Sequence, residues 1–350
     1  MTASIVSAWA GDIRYRTEIS SSTRGLAMGS TGINTERGAY SVFYNPGNLA
    51  AKENKMQIQA LNFQLDTSEM LFGNMSRFRD FNFTSVESLA GASKKSASRW
   101  NGGRFSLYPN FTIRSFSLGM LYEVNQSAYT NASDQSTRVR VRNRFAPTAA
   151  LAFRLLDGVI RIGASVHLLN VGEMDKTFSS GATDYKSSVQ TGTGLSKNIG
   201  ATLTLPIKFL PSFSAVFRDA GSTLFKKGLV SAFGSGELAD NRGGTVDLGA
   251  SATVYFGKNI ETRWTADLRD ATQRLGAVTT RKFNFGGEIS IKRFLHLRGG
   301  YSAGHFSAGL GLNGRNGTLD FAVYTDETSN TSTSQQDTRF SIQYTWNLFK

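Results

Sequence analysis

The chain has 350 residues, 40% of them hydrophobic and 19% charged, with 36 glycines, 5 prolines and a net charge of +13. With no cysteine and 3 histidines it can hold neither a disulfide framework nor a thiolate metal site, and its basic residues are spread out instead of forming the Lys/Arg runs of a nucleic-acid surface. No apolar run reaches the ~18 residues of a membrane helix, while 25 Phe, 11 Tyr and 4 Trp are too many aromatics for a disordered chain, which leaves a β-rich fold or a transmembrane β-barrel.

In chain order, residues 1–10 end in Ala8-Trp9-Ala10 before Gly11, the small-x-small form that a signal peptidase cuts. Residues 1–10 are therefore expected to be the tail of a signal peptide, with the mature chain starting near Gly11. Residues 11–54 show no alternation. Arg24 to Gly32 is rich in small residues, and Ala39 to Ala50 reads as a short apolar helical turn broken by Asn45-Pro46-Gly47. In that turn Pro46 sets φ, Gly47 permits a positive φ and Asn45 can bond its own backbone.

From about residue 55 to the end, period-two alternation dominates. In 245–256 Val246, Leu248, Ala250, Ala252, Val254 and Phe256 share one face, while Thr245, Asp247, Gly249, Ser251 and Thr253 share the other. Runs of this kind predict strands at 55–65, 103–113, 115–125, 138–155, 158–170, 197–210, 212–219, 244–256, 260–270, 281–292, 294–303, 305–313, 316–325 and 338–349. The connections alternate between tight turns and longer polar loops (66–102, 126–137, 171–196, 220–243, 271–280 and 326–337), with only 303–305 out of step. Short turns on one rim and long loops on the other is the construction of an outer-membrane barrel. A soluble sandwich or periplasmic barrel is the competing architecture, but its outer faces would be rich in charge. Here the polar faces are mostly Ser, Thr, Gly and Asn with isolated charges, and the chain closes on the aromatic-alternating Tyr344-Thr-Trp346-Asn-Leu348-Phe349-Lys350, close to the ending that outer-membrane assembly machinery takes up but with one extra Lys. The fold expected is all-β: a transmembrane antiparallel β-barrel of about 14 strands over 55–350. Because such a lumen is too wide for inward side chains to fill, 11–54 is expected to lie in it as a plug.

Arg24–Gly32 followed by Tyr44-Asn45-Pro46 and Leu49 resembles the N-terminal signature of the FadL-type outer-membrane transporter superfamily. The stretches 286–301, 306–312 and 319–324 are similar to its PorV/PorQ branch, so the resemblance covers both ends and roughly a third of the chain. It implies a barrel of about 14 strands with a luminal hatch, formed here by Met28, Gly29, Gly32, Phe43, Tyr44, Asn45, Pro46, Gly47 and Leu49. It also implies passage of hydrophobic molecules, such as long-chain fatty acids, through a lateral opening in the wall. Ser30-Thr31 and Gly47-Asn48 depart from the family pattern, which bears on how the hatch moves more than on the fold.

The sharpest candidate site is Arg138-Val-Arg140-Val-Arg142-Asn-Arg144, where period two puts four guanidinium groups on one face. Such a ladder serves to bind carboxylate or phosphate ligands, to meet lipopolysaccharide phosphates, or to pair with luminal acids such as Asp247, Asp267, Glu288 or Asp320. Gly309-Leu-Gly311-Leu-Asn-Gly314 matches a dinucleotide-loop pattern in form only, because strand follows strand there. His167, His296 and His305 are far apart in sequence, and no nucleophile elbow or phosphate loop is present. No catalysis, metal or cofactor is expected. The function expected is transport of a hydrophobic or amphipathic small molecule across the outer membrane of a Gram-negative-type bacterium, with membrane lipid, lipopolysaccharide and the assembly machinery as partners. The alternative is a scaffold subunit docking envelope proteins.

Overall fold

The computed structural model describes residues 17–51, 56–69, 85–182, 184–227, 233, 236–275, 279–328 and 336–349. The signal-peptide tail over 1–10 and the mature start at Gly11 lie outside these residues.

Three short helical pieces come first: α1 over Thr23–Ala27, α2 over Ser41–Tyr44, and a 3-10 helix over Pro46–Ala51. Ser22 caps α1 by accepting the Gly25 N–H at 3.0 Å, and Gly29, at φ 66°, turns the chain away after it. α2 lasts a single turn because Asn45 is extended, the conformation that Pro46 imposes on the residue before it. One expectation fails here: Gly47 is not among the residues with positive φ. Glycine is needed for space instead, since a Cβ would stand 3.0 Å from the Gly200 carbonyl and 3.2 Å from that of Arg161.

The strands are β1 Gln57–Ser68, β2 Trp100–Leu107, β3 Asn110–Ile113, β4 Phe116–Thr130, β5 Thr137–Leu155, β6 Ile160–Phe178, β7 Gln190–Thr204, β8 Ser212–Arg218, β9 Thr245–Phe256, β10 Ile260–Leu268, β11 Phe283–Ile291, β12 Leu295–Ser302, β13 His305–Asn313, β14 Gly317–Glu327 and β15 Gln336–Phe349. A third helix, α3 over Val86–Lys94, lies between β1 and β2. β2 and β3 are one stave interrupted at Tyr108-Pro109, since both pair with β1 on one side and β4 on the other. Every strand pairing is antiparallel, and β15 on β1 closes the sheet into a 14-strand barrel. β4, β6 and β7 overrun the lengths expected of them, so the loop expected at 171–196 shrinks to 179–189. Their apolar alternation stops at the edge of the greasy belt, while strand-to-strand hydrogen bonding continues above it.

The distribution of side chains is inverted relative to a protein folded in water. Leu118, Met120, Leu151, Phe153, Ile162, Ile199, Phe213, Trp264, Phe285 and Phe321 are exposed on the outside, Phe153 at 65% and Trp264 at 59%. Asp66, Glu123, Ser165, Asn198, Arg218, Asp247, Asp267 and Arg339 are buried inside. Water would drive the first set inward. A bilayer keeps it out and tolerates only a closed, fully bonded sheet. Phe209, Phe213, Tyr255, Phe256 and Phe294 crowd the short-turn rim as an aromatic girdle.

Candidate functional site

Residues 17–51 lie inside the barrel and divide its lumen into an apolar and an ionic side. On the apolar side Tyr40, Val42, Phe43, Leu49 and Ala50 are buried against inward-facing residues of the wall, among them Tyr108, Leu121, Ala146, Ala150 and Leu169. Phe43 meets Tyr108 at 4.9 Å between ring centroids and stacks on His167 at 5.5 Å. Burial of a side chain such as Phe43 or Leu49 contributes about 1.5–3 kcal/mol. Asn45 ties the turn down: its Nδ2 donates to Ile33 O at 3.1 Å and Thr202 Oγ1 at 2.9 Å, and its Oδ1 accepts the Gly47 N–H at 3.0 Å. Pro46 sits over Gly163 of β6.

The ionic side holds the segment by charge. Arg24 donates through Nε and Nη2 to the two carboxylate oxygens of Glu288, both at 2.9 Å, a bidentate fork. The N–H groups of Gly32 and Ile33 donate to Asp267 Oδ2 at 2.8 and 3.1 Å. Arg218 donates to Phe43 O at 2.6 Å, Tyr44 O at 2.8 Å and Asp247 at 2.5 Å, while Arg269 reaches Ser30 O at 2.8 Å and Glu18 at 3.3 Å. Tyr44 lies under the Arg269 guanidinium, 5.8 Å from it to the ring centroid, and its ring covers Gly32. Met28 and Gly29 meet the wall backbone to backbone: a Cβ on Gly286 or Gly300 would overlap them. Hydrogen bonds involving a charged partner contribute about 1.5–3 kcal/mol each.

The four arginines of the ladder face the lumen on β5, above the segment on the long-loop side. Arg138 donates to Asp175 at 2.8 and 2.9 Å, Arg140 approaches the same carboxylate at 3.2 Å, and Arg144 bonds Ile19 O and lies 3.5 Å from Glu123. Arg142 sits opposite Glu173 in the register of β5 and β6. The expected pairing with Asp247, Asp267, Glu288 and Asp320 does not occur. Those acids lie on β9–β14, across the lumen, and pair with Arg218, Arg269, Arg24 and Arg298, whereas the ladder's carboxylate partners come from β4 and β6, the neighbours of β5, and Arg138 also donates to Thr328 O, just past β14, at 3.1 Å.

Each histidine is bonded to a polar side chain of the wall. His167 is buried with Nε2 at 2.9 Å from Ser165 Oγ and 3.2 Å from Asn198 Nδ2. Its Nδ1 is buried without a hydrogen-bond partner, so no carboxylate orients the ring as a catalytic triad requires. His296 bonds Ser290 and His305 bonds Glu327. The glycines of 309–314 belong to β13 and its hairpin to β14.

Two further features lie together in one part of the wall. At Tyr108-Pro109 the Tyr108 N–H still donates to Asn62 O at 2.8 Å and Pro109 O accepts from Met120 at 3.1 Å, so the ladder is bridged while the Tyr108 ring turns inward. The ring's hydroxyl lies 3.2 Å from Thr148 Oγ1. On the outer face nearby, a groove of about 650 Å³ runs under α3 and the loops after β6 and β8, lined by Val86, Tyr122, Val124, Val141, Val189 and Phe233 and by the polar Gln126, Asn143, Lys186 and Ser187. Tyr122 of that groove pairs in register with Leu107, the residue before Tyr108. Lys186 and Glu87 reach across its edge at 3.5 Å.

No protein-family model matches the chain and no curated protein matches it in sequence. Among solved structures it is similar to the monoaromatic hydrocarbon channel CymD (12% identity, 93% of this chain and 97% of that one, TM-score 0.55). It is also similar to the Ralstonia pickettii toluene transporter TbuX (12% identity, 95% and 99%, TM-score 0.55) and the Pseudomonas putida toluene transporter TodX (12% identity, 94% and 98%, TM-score 0.55). At this identity the likeness is one of fold, carried over nearly the whole of both chains.

Proposed function

We propose that this chain is a FadL-type outer-membrane transporter of hydrophobic compounds, with residues 17–51 as its hatch. The observation that carries the reading is the pairing of a groove of mixed apolar and polar lining outside the wall with an apolar cluster inside it, joined at Tyr108-Pro109, where a side chain stands in the only interruption of a stave among the described residues. A hydrophobic molecule collected at the groove reaches the lumen when the Tyr108 ring swings aside, or leaves the lumen by the reverse path. The hatch meanwhile keeps water and ions from crossing. The likeness in fold to channels for toluene and other monoaromatic hydrocarbons supports small apolar cargo. The arginine ladder is engaged with Asp175 and Glu123, which favours a structural role over a ligand-binding one. Native mass spectrometry of the barrel purified in detergent tests the reading: a retained apolar molecule, displaced by excess toluene, is expected, and a barrel that takes up neither toluene nor octanol counts against it.

A further inference from the structure

We propose that the short-turn rim of the barrel is a collar for anionic phospholipid: a ring of exposed bases, set among outward apolar side chains, that holds the head groups of phosphatidylglycerol-type lipids in the leaflet facing the periplasm. This requires the barrel to sit in a bilayer and is independent of what it transports.

Arg154 stands at the end of β5, Lys208 in the β7–β8 turn, Lys258 in the β9–β10 turn, Lys292 and Arg293 in the β11–β12 turn and Arg315 in the β13–β14 turn, and all of them are exposed. Asp157 is the only acid in these turns. Lys208, Lys258, Lys292, Arg293 and Arg315 have no ion pair among the described residues. On the opposite rim the bases meet acids: Lys186 pairs with Glu87, Arg242 with Glu173, Arg281 with Glu327 and Lys282 with Asp270. Part of the net charge of +13 therefore gathers at one end with nothing in the chain to balance it. Backbone hydrogen bonds tie each turn to its neighbour: Thr204 donates to Val159 O at 2.7 Å, Thr253 to Phe209 O at 2.8 Å, Lys292 to Asn259 O at 2.7 Å, Asn313 to Phe294 O at 2.8 Å and Asn347 to Asn316 O at 2.7 Å. The bases are thus carried on one continuous ring. Leu156, Ile207, Phe209, Phe256 and Phe294 are exposed among them, and the Lys208 ammonium lies 5.0 Å from the Phe209 ring centroid. Apolar rings beside long basic side chains mark the level where acyl chains give way to head groups, with the charges reaching out to phosphate. A collar that runs round the wall fits molecules that surround the barrel, whereas an acidic protein would meet one face of it.

Competition for the lipid shell tests this, with the full barrel reconstituted in brominated phosphatidylcholine, which quenches tryptophans facing the acyl chains, and unbrominated lipid titrated in. Trp264 and Trp346 are exposed on the wall and report lipid beside the collar: Trp264 follows Lys258 along β10, and Trp346 pairs in register with Gly317, next to the Arg315 turn. Phosphatidylglycerol is expected to displace the brominated lipid about fivefold better than phosphatidylcholine does, and the advantage should fall below about twofold in about 0.5 M salt. It should also vanish in the combined variant Lys208→Gln, Lys258→Gln, Lys292→Gln, Arg293→Gln, Arg315→Gln, and fall by at least about half in the milder pair Lys258→Gln, Arg315→Gln. The variant Lys226→Gln, Lys227→Gln, Arg274→Gln, exposed on the long-loop rim, should keep it, and all three should keep the gel shift of a folded barrel. Equal displacement by the two lipids in wild type overturns the proposal, as does a preference that survives in both collar variants or is lost equally in the long-loop variant. Binding of polyglutamate by the wild type without a lipid preference would assign the rim to an acidic protein instead. If brominated phosphatidylcholine leaves the tryptophans unquenched, the membrane barrel itself fails, and the proposal with it.

Discussion

At the scale of single residues, the lumen is held by arginines that reach from one element to another. Arg218 is buried and bridges β8, Asp247 of β9 and the two carbonyls of Phe43 and Tyr44. None of this is legible in the sequence, where Arg218 is one charge on a short alternating run and Arg24 one charge among small residues. Period two told that such residues face inward, but not which wall they meet across the lumen, because partner choice depends on barrel closure. The ladder shows the same limit: its orientation was legible, whereas the acids Asp247, Asp267, Glu288 and Asp320 offered as partners lie across the lumen and its carboxylates, Asp175 and Glu123, come from the strands next door. Asn45, Pro46 and Gly47 were legible as a turn, yet Gly47 is required by the approach of Gly200 and Arg161, which no local pattern encodes. Tyr108 gives the first prediction. Replacing it with Ala removes the ring that meets Phe43, at about 3–5 kcal/mol of packing, and leaves a gap beside Pro109. Cells producing Tyr108→Ala should take up a hydrophobic dye faster than wild type, while unchanged uptake would show that the wall does not open there.

At the scale of elements, strands and hatch are built on different terms. Each strand finds its hydrogen bonds in its neighbours, and β15 meets β1, so the barrel closes without help from 17–51. The hatch, by contrast, has only short helical pieces and depends on the wall for burial. Deleting residues 17–51 should therefore leave a barrel that inserts and shows higher conductance in planar bilayers. Replacing Pro46-Gly47 with Ala-Ala should raise permeability to small hydrophilic solutes less, since it loosens the turn against Gly163 and Gly200 but leaves Arg24 on Glu288. A deletion variant that inserts without added conductance would mean that the segment does not plug the lumen. The strands were the most legible elements, because alternation is a direct record of the two solvents on either side of the wall. What alternation missed is the continuation of β4, β6 and β7 above the belt, where both faces meet protein or water and the outer face of β5 is buried by α3.

At the scale of the whole molecule, the arrangement is a greasy exterior, a charged and hydrogen-bonded interior, and one face where apolar groups line both sides of the wall. A closed, bilayer-adapted sheet resists unfolding in detergent, so unboiled protein should migrate differently from boiled protein on a denaturing gel. Identical migration, with solubility in the absence of detergent, would remove the membrane barrel. The central proposal is selective passage of hydrophobic molecules past a hatch that blocks water-soluble ones. The direct measurement is uptake of N-phenyl-1-naphthylamine, a dye excluded by intact lipopolysaccharide, by cells producing the barrel, beside periplasmic hydrolysis of a hydrophilic β-lactam as the leak control. Faster dye uptake with unchanged hydrolysis is the expected result. Unchanged dye uptake, or dye and β-lactam rising together, would contradict it.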